Sequence, residues 1–520
     1  MSTVRTYARN LIANWIGYGA NLLVVFFLSP FVVHTLGDTA YGVWSLMVSL
    51  TGYLGLVEIG VRVSTGRHIN YYLGRGDFEK VSGIVSTSLA FYATVGVLVL
   101  TSAVLLGTFF GNIFADVPSS LASQAKWVLL LLGINIWLGF FSTTFAQLLH
   151  ARERFDLRNI ADIVVVTARA IGIVWVLRAG GGLLSLAAVQ VASSLLGCLL
   201  LYGLARWRGP DVRLRWQGVS LAIFRETFGF GVWAFVGSAG VRVIYYSNVA
   251  VIGLLLGAVE ITYYTIGSTL IEYGRSVAGF LPLQTLKPAT EGAAGRNALA
   301  DLRWLLLKGS RLVMFFSVPL LIGLIMLGQP FIVLWMGPGY ARSAHVLIIL
   351  TVGVCSSLNS EMCGSVLLGI GKVRFLGLIR VVEAAANIIM SVLAVTATSL
   401  GIDGVAIGTL VPMILIEGLV IPWSACRAVG LPFRGYLQSV PLRWLLASLA
   451  LAVPGWIVVA CWPTATWGSL AAKAVMLTLL YVPIGWYLVL SVHDRPSWGL
   501  GRLAMRGRKK HVAPTSNGQT

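Results

Sequence analysis

Apolar residues run along this chain in blocks of about 20 or more, broken by short polar and basic stretches. A helix rises about 1.5 Å per residue and the hydrocarbon core of a bilayer is about 30 Å thick, so each block predicts a membrane-crossing helix. The blocks fall near residues 10–33, 41–62, 81–107, 126–149, 159–178, 183–205, 226–252, 260–286, 305–328, 343–368, 375–397, 402–426, 441–462 and 469–491. None alternates apolar and polar positions with the period of two that a transmembrane barrel requires. The expected fold class is therefore an all-α polytopic membrane protein with about 14 transmembrane helices.

Composition narrows this further. The 520 residues are 57% hydrophobic and only 11% charged, against about 25% charged in soluble domains. The formal net charge of +19 would suggest nucleic acid in a soluble chain. Here the basic residues sit in short loops between apolar blocks, where they orient the protein, so no nucleic-acid partner is expected. Placing the N-terminus in the cytoplasm collects Arg67, Arg75, Lys80, Arg152, Arg154, Arg206, Arg208, Arg213, Arg215 and most other basic residues on the cytoplasmic side. The opposite side receives Lys126, Arg178, Arg342 and Lys473. Both termini are expected in the cytoplasm. The first block is long enough to span, so it reads as a retained helix rather than a cleaved leader. The five cysteines lie in or beside apolar blocks without a CxxC pair, which argues against disulfide or zinc chemistry.

The two halves resemble each other. A shift of 220 residues superimposes Leu36-Gly37 on Leu256-Gly257, Tyr53 on Tyr273, Arg67 on Lys287, Arg154-Phe155 on Arg374-Phe375, and Gly181 on Gly401. The expected organisation is a six-helix lobe at 1–205, a cytoplasmic linker at 206–225, a second six-helix lobe at 226–428, two extra helices within 429–492 and a basic cytoplasmic tail at 493–520. An even helix number per lobe makes the repeats parallel, related by an axis along the membrane normal.

No Walker-type loop, HExxH, GxSxG or extracytoplasmic carboxylate pair occurs, so no enzyme is expected. What remains are ionisable groups inside the spans. Each costs about 2.5–3.5 kcal/mol at a helix centre on insertion scales, so it faces the bundle interior or a wet cavity. Arg242 and Arg169 are the deepest, with no acidic residue within four positions. A guanidinium in a cavity suits phosphate or carboxylate, because its fork matches two oxygens. Glu58 and Arg62, Glu272 and Arg275, Arg380 and Glu383, and Asp162 and Arg169 are spaced to share a helix face. Such pairs either neutralise each other or serve the cavity, and Arg62, Arg275 and Arg380 lie close enough to the ends to snorkel. Glu361 has no basic neighbour on its helix and reads as paired across helices or as a cation-coupling site. The candidate substrate-binding residues are thus Arg242, Arg169, Arg275, Arg62 and Arg380. The candidate coupling or gating residues are Glu58, Asp162, Glu272, Glu361 and Glu383. Tyr41, Trp44, Trp335 and Tyr340 read as interfacial anchors, and the Gly-rich stretch 229–240 as close packing or a hinge.

The stretch "FLSPFVVHTLGDTAYGVWSLMVSLTGYLGLVEIGV" at 27–61, the basic loop "GRHINYYLGRGDFEKV" and the second-half counterpart "LLGAVEITYYTIGSTL" carry a resemblance. They resemble bacterial polysaccharide transporters, the O-antigen-type oligosaccharide flippases of the multidrug/oligosaccharidyl-lipid/polysaccharide exporter superfamily. That resemblance covers roughly 10–427. It implies two pseudo-symmetric six-helix lobes in a V-shaped, multidrug-and-toxin-extrusion-like arrangement with a cationic central cavity. It implies an inner-membrane protein that turns an undecaprenyl-diphosphate-linked glycan from the cytoplasmic to the periplasmic leaflet by alternating access. The implied partners are that glycan, bilayer lipids, and a polysaccharide polymerase and chain-length regulator. No cofactor is implied, and the drive is a proton or sodium gradient or the membrane potential. A cation-coupled multidrug exporter centred on Asp162 and Glu58, a lipid II flippase, and a membrane glycan polymerase or ligase are the competing readings. The short extracytoplasmic loops weigh against the last.

Overall fold

The computed structural model describes residues 2–209, 211–212, 219–220, 223–224, 232–278, 298–464 and 466–490. Among them every regular element is a helix and no strand occurs. The first half runs α1 (Ser2–Leu36), α2 (Asp38–Leu54), α3 (Val57–Leu73), α4 (Phe78–Ile113), the short α5 (Ser119–Ala122), α6 (Ala125–Ala151), α7 (Phe155–Arg178) and α8 (Leu183–Arg208). The second half runs α9 (Val232–Leu255), α10 (Ala258–Ala278), α11 (Ala298–Met336), α12 (Ser343–Gly369), α13 (Val373–Ala397), α14 (Ile402–Pro412) and α15 (Ile421–Val429). A π-helical stretch, Met413–Val420, joins α14 to α15. Then follow α16 (Phe433–Ser439), α17 (Pro441–Cys461) and α18 (Trp467–Leu488). Half of the expected linker at 206–225, the whole tail at 493–520, the end of the eighth expected helix at 279–286 and the repeat partner Lys287 lie outside the described residues.

Among the described residues twelve helices are long and apolar enough to cross a membrane. The pair α2 and α3, bent by 48° at the break between them, passes the same test of length and composition when taken together. The eighth expected segment is present as α10 but falls outside that set. It carries Glu260, Glu272 and Arg275 among many Thr and Tyr residues, which lowers its hydropathy below that of its neighbours. Loops alternate between two sides, called here the Gly37 side and the Gly74 side.

Two glycines that the 220-residue shift superimposes share a positive φ. Gly37 ends α1 at φ 78° and Gly257 ends α9 at φ 91°. Both occupy the left-handed region that side chains with a Cβ avoid, so each break before α2 and before α10 requires glycine.

The chain divides into two compact units. The larger comprises Met1–Tyr273, Trp335–Gly353 and Lys372–Ile416. Within it α6 packs between α4 and α8, α7 packs on α1 and α8, and α9 packs along α13, which in turn packs on α14. Its core includes Ile69, Val85, Leu149 and Leu201, all buried. The Gly-rich segment packs as its composition suggests: Gly237 lies against the Gly377 backbone and Gly240 against the Arg380 carbonyl, while 229–231 lie outside the described residues.

The smaller unit comprises Gly274–Leu334, Val354–Gly371 and the chain from Glu417 onward. Here α17 and α18 form a hairpin laid along α11. Gly455 of α17 abuts Met326, Tyr481 of α18 packs 5.6 Å from Phe315, and Trp467 meets Phe331 edge-on at 5.5 Å.

Candidate functional site

The bend between α2 and α3 places Glu58 in the first turn of α3, where exposed N–H groups favour a carboxylate. Its Oε1 accepts a 2.7 Å hydrogen bond from Thr143 of α6. Arg62, one turn on, lies 4.0 Å away with its side chain half exposed. The expected pair is present but loose.

Asp162 and Arg169 do not meet as their shared face suggested. Asp162 Oδ2 lies 3.5 Å from Arg158 Nε, four residues earlier on α7. Four residues separate side chains by one turn, whereas seven separate them by two, so the nearer arginine wins. Arg169 instead donates through Nε to Ser193 Oγ of α8 at 3.0 Å. No carboxylate among the described residues lies within 4.0 Å of it. Its position is opposite the exposed stripe Ile160, Val164, Ile171 and Trp175 of the same helix.

Arg380 Nη1 and Glu383 Oε2 of α13 are 2.8 Å apart, as their spacing implied. Arg275 Nη2 pairs across helices with Glu361 Oε1 of α12 at 3.4 Å. Arg242 stands apart. It is exposed near the middle of α9 and makes no hydrogen bond or ion pair among the described residues. The five candidate arginines therefore do not form one cluster. Three face carboxylates, one faces a hydroxyl, and one faces open space.

A network that the count of ionisable groups overlooked lies within the larger unit. Asn248 Nδ2 donates to the Tyr264 hydroxyl at 2.8 Å and to Thr409 Oγ1 at 2.9 Å. Asn387 Nδ2 donates to the same Thr409 oxygen at 2.8 Å, and Ser247 Oγ reaches Asn387 Oδ1 at 3.3 Å. Asn387 is one turn from Glu383 on α13. Asn248 Oδ1 is buried and accepts no hydrogen bond among the described residues. Two amides inside apolar blocks were the available signal. Glu417, on the π-helical stretch, is 3% exposed.

The expected interfacial anchors Trp335 and Tyr340 prove to be seam residues. Trp335 stacks on Phe26 at 5.3 Å and its indole N–H donates to the Phe26 carbonyl at 2.8 Å. The Tyr340 hydroxyl donates to Asp38 Oδ1 at 2.6 Å. Burial, then the bond to Asp38, pushes the Tyr340 phenol up from its ordinary pKa, so it remains the donor. Tyr41 and Trp44 pack beside the buried cluster of Val32, Ile173, Leu177 and Leu186. The seam continues along α2. Thr262 donates to the Asp38 carbonyl at 2.7 Å, and Ser49 to the Tyr246 carbonyl at 3.1 Å. A Cβ on Gly42 would overlap the Ala258 carbonyl, and one on Gly52 would overlap the Tyr246 ring. These contacts close α2 onto α9 and α10 from the Gly37 side to the Tyr53–Tyr246 ring pair, 5.4 Å between centroids. Just beyond lies the bend into α3.

The fold defines a class: an all-helical, multi-pass membrane protein with the architecture of known membrane transporters. It aligns with a lipid II flippase MurJ in an inward closed conformation at a TM-score of 0.70 and 14% identity, covering 92% of this chain and 99% of that one. It aligns with a multidrug resistance MATE family transporter of the MOP superfamily, in an inward-facing conformation, at a TM-score of 0.69 and 15% identity, covering 79% of this chain and 94% of that one. The chain itself belongs to the family described as polysaccharide biosynthesis protein, whose model matches residues 79–345. An uncharacterized membrane protein EpsK of Bacillus subtilis (strain 168) is 22% identical over 94% of this chain and 96% of its own length. A putative O-antigen transporter of Shigella flexneri is 23% identical over 81% of this chain and 97% of its own. The family match and these relatives support the resemblance to polysaccharide transporters that the sequence carries.

Proposed function

We propose that this protein is a flippase without a catalytic step of its own, carrying an undecaprenyl-diphosphate-linked oligosaccharide from the cytoplasmic to the periplasmic leaflet of a bacterial inner membrane. The observation that carries the reading is the pair of mid-span guanidiniums, Arg242 and Arg169, that meet no carboxylate among the described residues. A cation held at that depth costs about 2.5–3.5 kcal/mol on insertion scales. Water or an anionic cargo offsets that cost at either position, and a phosphate group offers two oxygens matched to a guanidinium fork. Arg62, Arg275 and Arg380 are already held by carboxylates and contribute less net charge.

The positive-inside bias puts both termini and the Gly74 side in the cytoplasm, so the closed α2 seam faces the periplasm. Release of cargo then requires that seam to part, in the manner of alternating access. A proton or sodium gradient supplies the drive in this reading. The buried Glu383 carboxylate, one turn from the Asn387 network with its free Asn248 acceptor, supports a cation-coupled step.

The test is made in a strain lacking the protein, by extracting undecaprenyl-diphosphate-linked glycans and assigning them to a leaflet. Complete units trapped on the cytoplasmic face, with surface polysaccharide lost, are expected. Units that reach the periplasmic face unpolymerised would reverse the reading in favour of a polymerase. Unchanged glycans with new drug sensitivity would favour a multidrug exporter.

A further inference from the structure

Tyr436 lies on α16, a helix of seven residues that connects the repeated helices to the α17–α18 hairpin. Its side chain is fully buried within the smaller unit. The hydroxyl donates to Asn359 Oδ1 of α12 at 2.8 Å and lies 3.4 Å from Cys363 Sγ, one turn further along α12. α16 is fastened around that contact by α11. Arg303 donates to the carbonyls of Val429 at 2.6 Å and Gly430 at 2.8 Å, just before α16, and Arg311 donates to the Ser439 carbonyl at 3.2 Å at its end. Phe433 stacks on the Tyr436 ring.

A phenylalanine would fill the same space without burying a hydroxyl. The hydroxyl earns little net stability, about 0.5–1.5 kcal/mol per bond, but it fixes geometry, because misplacing it leaves a buried polar group unsatisfied. What it fixes is the rotation of α12. Asn359 and Cys363 are four residues apart on one face, and Glu361, midway between them, projects from the other side. Glu361 is the carboxylate that holds Arg275 at 3.4 Å. Side chains stand about 5–6 Å from a helix axis, so a roll of about 20° would carry the Glu361 carboxylate roughly 2 Å, enough to break that pair.

We infer that Tyr436 is a positioning residue that sets the register of α12 and thereby aims Glu361 at Arg275, which gives the connection to the two extra helices a role in transport. This rests on the flippase reading and on the Arg275–Glu361 pair acting in it. The test uses the full chain, returned to a strain lacking it as Tyr436→Phe, Glu361→Gln and the double variant, with surface polysaccharide, membrane protein level and melting temperature measured together. Tyr436→Phe is expected to lower polysaccharide export several-fold at unchanged membrane protein level, with a modest fall in melting temperature from the Asn359 oxygen left unpaired. The double variant is expected to be no worse than Glu361→Gln alone, because both changes remove the same interaction. Full export by Tyr436→Phe, or losses that multiply in the double variant, would overturn the positioning role and leave the flippase reading standing. Full export by Glu361→Gln would overturn the pair's part in transport and the positioning role together. Glycan units found on the periplasmic face without the protein would instead remove the flippase reading itself.

Discussion

Arg380 Nη1 and Glu383 Oε2 lie 2.8 Å apart on α13, and the Glu383 side chain is 1% exposed. Removing one partner of a buried ion pair costs roughly 3–5 kcal/mol, whereas replacing both with apolar groups is often neutral. Glu383→Ala should therefore lower the melting temperature of the detergent-solubilised protein markedly. The double variant Arg380→Met/Glu383→Leu should recover most of that loss. If Glu383 also couples a cation, the recovered variant will still fail to export polysaccharide. A double variant as active as the parent would leave the pair with a packing role only.

Pairs within one helix were legible in the sequence because spacing fixes them: Glu58 with Arg62 and Arg380 with Glu383 meet where periodicity placed them. That Glu361 would pair across helices was one reading of its sequence, but its partner Arg275 was not legible, since no local pattern specifies how those helices pack. Asp162 went to Arg158 because an arginine one turn away outcompetes one two turns away. The spans were legible from apolar length, but the 48° bend after α2 was not. Trp335 and Tyr340 look like surface anchors by position, and only the packed structure shows their partners Phe26 and Asp38. The amides Asn248 and Asn387 escaped notice because uncharged groups barely disturb a hydropathy profile.

Arg242 is the sharpest functional test, because nothing in the described fold depends on it. An exposed side chain without hydrogen bonds contributes little stability, so Arg242→Ala should insert and melt like the parent. Polysaccharide export should nevertheless fall below detection. Arg242→Lys should rescue part of it, keeping the charge but losing the planar fork. Complementation at matched membrane levels measures both, and full export by Arg242→Ala would remove this arginine from the site.

Lys473 is fully buried on α18, near the start of the expected span at 469–491. Its ammonium donates to the Val459 carbonyl at 3.3 Å, to the Trp462 carbonyl and to Thr464 Oγ1 at 2.6 Å. These lie at the C-terminal end of α17, where carbonyls lack intrahelical donors and a cation is favoured. Lys473→Met keeps the stem and loses the cap, which should cost about 2–3 kcal/mol by the scale of hydrogen bonds to charged groups. Thermal melting in detergent reads this, with Lys473→Arg expected between the two. An unshifted melting curve would mean that water caps α17 equally well.

The α2 seam yields a prediction about motion. Gly42 and Gly52 let the backbone of α2 touch Ala258 and Tyr246, so a branched side chain at either position must push the helices apart. Ser49 lies between them and is 4% exposed. In a background with the five native cysteines replaced, Ser49→Cys should react slowly with a membrane-impermeant maleimide applied to whole cells. Adding Gly42→Val should speed that reaction at least tenfold, since about 1.4 kcal/mol of steric bias shifts a two-state equilibrium by that factor. Tyr340→Phe, which removes only the 2.6 Å bond to Asp38, should act in the same direction with a smaller effect. Export should fall in the Gly42→Val variant because the closed state is no longer reached. Labelling that stays slow in a folded Gly42→Val protein would show that the seam is fixed packing, and the release path would then have to run elsewhere.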